Sequence, residues 1–132
     1  MDREAEAARV IWLAVGAGGA LGAMARHGLN HVIHQRALAS TFPYGIFVIN
    51  VAGSFAIGVV AGLLAGNRLH LSHAARTFVI AGFLGGFTTF SSFSLDTLAL
   101  VRDGHPGQAF LNAAGQVVLS LAAVWAGYRL TA

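Results

Sequence analysis

Cutting the chain at its charged residues leaves four long uncharged stretches, and no other feature limits its folding so strongly. The first lies between Arg9 and Arg26 and extends to a span over about residues 10–29. The second runs over about 42–66, the third over about 77–95 and the fourth over about 108–128. A helix crosses the hydrocarbon core with roughly 17–25 residues, so each stretch can cross once. Only 10% of the residues are charged, against about 25% in a soluble domain. The expectation is an all-α integral membrane protein, with residues 1–132 forming a single four-helix membrane domain. The connections, Gly28 to Thr41, Asn67 to Arg76 and Asp96 to Gly107, are too short to hold a folded domain.

The basic balance, net charge +3, does not signal nucleic acid. It comes from arginines spread singly along the chain, not from the clustered patch that nucleic-acid binding needs. Without cysteine there is neither a disulfide framework nor a thiolate metal site. The start, Met1 to Glu6, is a short charged tail. The apolar run after it continues through Gly16-Ala17-Gly18-Gly19 without a cleavage site, so it reads as a retained first helix. Trp12, Tyr44, Trp125 and Tyr128 sit near segment ends, as interfacial aromatics do.

Arginine placement bears on topology. Arg3, Arg9, Arg68, Arg76 and Arg129 fall on one side, Arg26, Arg36 and Arg102 on the other. So small a bias permits insertion both ways round, and hence an antiparallel dimer. Four helices of this size enclose little space, which also points to a homo-oligomer. Gly18/Gly22, Gly58/Gly62, Gly62/Gly66 and Gly82/Gly86 have the small-xxx-small spacing that lets helix backbones approach closely.

The third stretch contains Gly82-Phe83-Leu84-Gly85-Gly86-Phe87-Thr88-Thr89-Phe90-Ser91-Ser92-Phe93-Ser94. Paired glycines weaken a helix and threonines add little to hold it. The backbone is therefore expected to open over Gly85 to Thr88, in the middle of the membrane. Opened backbone is tolerated there only where it is buried in protein or lines a wet cavity. Its freed carbonyls would suit a cation. Phe90 and Phe93, i and i+3 if the helix resumes, could present positive ring edges to an anion or simply pack.

Other polar residues line up on helical faces: Asn50 with Ser54, and Asn112, Gln116 and Ser120 at i, i+4 and i+8. These form either a polar lane or inter-helix hydrogen bonds, since unpaired polar groups in a membrane are costly. Neutral N–H and O–H donors suit a small, hard anion that must shed water. Arg26 either draws anions into a vestibule or snorkels to headgroups. Asp96, at a segment edge, is a functional candidate or faces water. His31 and His34 lie in a connection, where solvation or weak metal binding are the options. No paired carboxylates within a segment, no His/Glu metal spacing and no serine triad appear, so the chain does not read as an enzyme.

With these residues in view, the sequence resembles the Fluc family of small fluoride channels. The resemblance rests on Gly19-Ala20-Leu21-Gly22-Ala23-Met24-Ala25-Arg26, Gly45-Ile46-Phe47-Val48-Ile49-Asn50-Val51-Ala52-Gly53 and Gly82 to Ser94, together with four spans in a short chain. It implies an antiparallel, dual-topology homodimer in the inner cell membrane, with two pores exporting fluoride passively. It further implies a structural sodium ion (Na+) at the dimer centre, held by the backbone carbonyls of Gly85 and Thr88. The family's pore asparagine falls on Asn50, its pore phenylalanines on Phe90 and Phe93, and its fourth-helix polar lane includes Ser120. The chain departs from relatives at Ile46, where some carry a hydroxyl, at Asn112 and Gln116, where they tend to show Tyr and Ser, and at Asp96, often Glu.

The expected path runs from an Arg26 vestibule to the Asn50 amide, past the edges of Phe90 and Phe93, and out along Ser120. The alternative is a small dual-topology multidrug or cation exporter. Such proteins need a membrane-embedded glutamate in the first helix, and no carboxylate lies between Arg9 and Arg26.

Overall fold

The structure, a computed structural model, describes residues 2–37 and 40–132. Met1 of the charged tail and residues 38 and 39 of the first connection lie outside the described residues. Helix α1 spans Asp2–Arg36 and α2 Tyr44–Ala65. The third run is composite: α3 (His73–Thr77), a π-helical segment (Phe78–Leu84), α4 (Gly85–Phe87) and α5 (Phe90–Arg102). Helix α6 spans Pro106–Thr131. Among the described residues the fold is all-helical. Four runs, Asp2–Arg36, Tyr44–Ala65, His73–Arg102 and Pro106–Thr131, are long and apolar enough to cross a membrane.

The connections are shorter than the charge pattern implies. Helix α1 continues past Gly28 to Arg36, so His27, His31 and His34 lie on the helix and not in a loop. The imidazole Nε2 of His31 lies 2.9 Å from Gln35 Nε2, one turn on. Helix α5 likewise carries Asp96 and ends only at Arg102, and Pro106 starts α6 where its missing N–H costs nothing. Loss of apolarity marks where a helix leaves hydrocarbon, not where its hydrogen bonds stop.

Glycine sets the packing. A Cβ at Gly18 would fall 2.5 Å from the Phe78 carbonyl oxygen, and one at Gly86 would fall 2.5 Å from the Gly19 carbonyl oxygen. Helix α1 thus meets the third run backbone to backbone. Helices α2 and α6 meet in the same way, with Gly58 against the Val124 backbone and Gly127 against the Phe55 carbonyl. Lipid supplies no hydrophobic drive between helices, so close contact and hydrogen bonds must hold them. The two largest fully buried side chains fit that rule: one is Ile49, the other Asn112.

Candidate ion pathway

The interruption in the third run falls on Thr88 and Thr89, at the C-terminal edge of the expected Gly85 to Thr88 opening and not on the paired glycines. Gly85 keeps helical angles (φ −64°, ψ −37°), whereas Thr88 (−85°, 157°) and Thr89 (−155°, 120°) are extended. Gly82 and Gly86 stay helical with their smallness used for contact against α1, beside Gly18 and Gly19. Thr88 Oγ1 donates back to the Leu84 carbonyl at 3.0 Å. Thr89 Oγ1 then caps the restarted helix by accepting from the Ser92 N–H at 3.2 Å. The Thr89 N–H, which a continuous helix would give to the Gly85 carbonyl, goes instead to Asn50 Oδ1 at 2.8 Å.

Asn50 grips Thr89 at both backbone groups. Its Nδ2 donates to the Thr89 carbonyl (3.1 Å) and also to Gln116 Oε1 (2.7 Å). Gln116 Nε2 donates to Asn112 Oδ1 (3.0 Å), Asn112 Nδ2 to Thr97 Oγ1 (2.9 Å), and Thr97 Oγ1 to the Phe93 carbonyl (2.8 Å). One polar chain thus ties α2, α6 and α5 across the interruption. Asn112 is 0% and Gln116 4% exposed, so neither amide could stay unpaired cheaply. Thr97 is a member that the sequence reading missed; its i+4 spacing from Phe93 was the available signal.

Beside this chain lies a cavity of about 390 Å³ whose wall includes Asn50, Phe90, Phe93 and Ser120, together with Gly85 and Thr88. Residues assigned separately to an anion and to a cation therefore share one space. Phe90 and Phe93 occupy the first turn of α5, with centroids 5.1 Å apart and planes inclined at 51°. Phe90 is 77% exposed.

A family model described as CrcB-like protein, Camphor Resistance (CrcB), matches residues 13–128. The chain belongs to the CrcB-like family. Among its relatives is a protein of Opitutus terrae named fluoride-specific ion channel FluC, 49% identical over 119 residues that cover 89% of each chain. A second, fluoride-specific ion channel FluC 2 of Nitrobacter hamburgensis, is 48% identical over 90% of this chain and 94% of its own. A third, fluoride-specific ion channel FluC of Thermus thermophilus, is 44% identical over 90% and 93%.

Two candidates in this CrcB-like chain lie away from the cavity. Arg26 Nε donates to the Gly86 carbonyl at 3.1 Å, so the guanidinium pins α4 near its C-terminal end, where a cation is favoured. Asp96 lines two smaller cavities of about 240 and 180 Å³, the first with His34 and the second with Asp103 and His105. Its Oδ2 is buried and makes no hydrogen bond among the described residues. Among those residues, no group of three or more His, Asp or Glu is placed to hold a metal.

Proposed function

We propose that the chain is a fluoride-selective channel subunit that exports fluoride passively across the inner cell membrane. The observation that carries this reading is the cavity itself. It sets the Gln116 amide and Ser120 hydroxyl of α6 in one space with two aromatic rings, beside an interrupted helix, in a chain whose relatives are named fluoride-specific channels. Fluoride is small and strongly hydrated. It must exchange water for several close donors, and ring edges beside neutral donors supply these without trapping the ion by full charge.

The interruption lies midway along the His73–Arg102 run, which supports its placement at mid-membrane. An antiparallel homodimer would carry two such pores. The Gly85 carbonyl lacks its helical donor, and the extended ψ at Thr88 turns that residue's own carbonyl out of the helical row. These two groups suit a sodium ion shared with a second copy, where its charge would hold the two interruptions together. An anion vestibule at Arg26 would lie apart from this cavity and would use only the part of the guanidinium not bound to Gly86.

The test is direct. Purified protein in liposomes should release fluoride to a selective electrode while retaining chloride. Folded protein that passes no fluoride would refute the channel reading.

A further inference from the structure

We infer that Gln116, not Asn50, presents the amide N–H that meets a permeating anion in the cavity, with the Ser120 hydroxyl beside it. This rests on the channel reading above. The inference follows from the polarity of the hydrogen-bond chain, which one backbone residue dictates. Thr89 offers Asn50 an N–H and a C=O, so Oδ1 must face the first and Nδ2 the second. The second Nδ2 hydrogen is then available to Gln116, which must answer with Oε1. That leaves Gln116 Nε2 to donate to Asn112 Oδ1, and Asn112 Nδ2 to donate to Thr97. The threonine hydroxyl, having accepted, passes its own hydrogen to the Phe93 carbonyl. Reversing any one amide would set two acceptors or two donors face to face.

Donors around the cavity can then be assigned one by one. Both Nδ2 hydrogens of Asn50 are engaged, by Thr89 and Gln116. Ser54 Oγ donates to the Asn50 carbonyl at 2.7 Å, and Thr88 Oγ1 to the Leu84 carbonyl. Gln116 Nε2 has two hydrogens and uses one, toward Asn112. Ser120 makes no hydrogen bond among the described residues, and both it and Gln116 line the cavity. The spare amide hydrogen and the free hydroxyl sit one turn apart on α6, a spacing at which two donors can act on one ion. Asn50 acts instead as the clasp that holds the interruption in shape. For an anion to take a hydrogen from Asn50, either Thr89 or Gln116 would have to be left unpaired, whereas the Gln116 hydrogen is available with no bond broken.

The two asparagine and glutamine roles give opposite signals in the intact protein. With side-chain amides labelled with ¹⁵N in detergent, the Gln116 signal should shift on adding sodium fluoride and not on adding sodium chloride, and by more than Asn50. The chain has four asparagines and three glutamines, so the spectrum is sparse, and Gln116 is identified by its absence in Gln116→Met. An Asn50 shift equal to or larger than that of Gln116, or no shift at either, would overturn the inference. In liposomes, Gln116→Met should lower fluoride efflux about tenfold or more, as loss of a donor to a charged group implies. Efflux at the wild-type rate would overturn it equally. If that variant does not fold, the wild-type titration decides. Wild-type liposomes that release no fluoride would refute the channel reading instead, so the two failures remain distinct.

Discussion

Phe90 is the residue where structural and functional demands separate most cleanly. It is 77% exposed, so few contacts within the chain depend on its ring. Phe90→Ile should therefore leave folding nearly intact. What isoleucine cannot supply is the positive ring edge. Phe93, less exposed and tilted against it at 5.1 Å, should behave alike with a somewhat larger cost in stability. In liposomes each variant is expected to reduce fluoride efflux at least tenfold while its elution volume in detergent stays that of the wild type. Normal conduction by both would remove the rings from the pathway. The ring pair was legible because it is local: an i, i+3 spacing within one helix. The role of Asn50 was not. Its partners lie 39 and 66 positions away, and only the fold shows that its amide is fully engaged by the Thr89 backbone and Gln116.

At the level of elements, the contact between α1 and the third run sets where the backbone can break. A Cβ at Gly22 would run into the Phe83 carbonyl oxygen and would lie 2.8 Å from the Phe87 amide nitrogen. These are backbone atoms that cannot rotate away. Gly22→Leu should cost about 1–3 kcal/mol or more, read as a lower thermal midpoint in detergent and loss of monodisperse protein. At Gly16 a Cβ meets nothing within 4 Å, so Gly16→Leu is the matched control and should be tolerated. Equal behaviour of the two would mean that the close approach carries little of the stability. The same contact explains what propensity missed. Gly85 and Gly86 looked like the weak point, yet Gly86 abuts Gly19 and both stay helical. The break falls on Thr88 and Thr89, where a side-chain cap and the Asn50 clasp compensate for lost ladder bonds. The π-helical segment Phe78–Leu84 left no trace in the sequence, because a wider turn changes the hydrogen-bond register without changing composition.

For the whole molecule, the cavity has one conspicuously apolar border. Phe90, Val117 and Leu121, all on its wall, are 77%, 51% and 64% exposed in the single chain. These exposed apolar side chains suit lipid or a second copy. The opened backbone favours the copy. With the Thr89 and Ser92 N–H groups turned to side chains, the Gly85 and Thr88 carbonyls lack helical donors, and such groups are not tolerated against hydrocarbon. Two carbonyls from one chain are too few to strip a cation of water, whereas the same pair from each of two copies would make a four-oxygen site. The arginine balance, close to even across the membrane, allows the copies to insert in opposite senses. Sodium should then stabilise the dimer by mass action, more so as its concentration exceeds the dissociation constant. Protein purified with N-methyl-glucamine in place of sodium is expected to crosslink less efficiently as a dimer and to lose fluoride efflux, with both recovering when sodium is restored. Potassium should rescue poorly where four carbonyls would be held too close together for the larger ion. Dimer yield and efflux that ignore sodium throughout would leave Gly85 and Thr88 as part of the pore wall alone, with the second copy held by apolar contact.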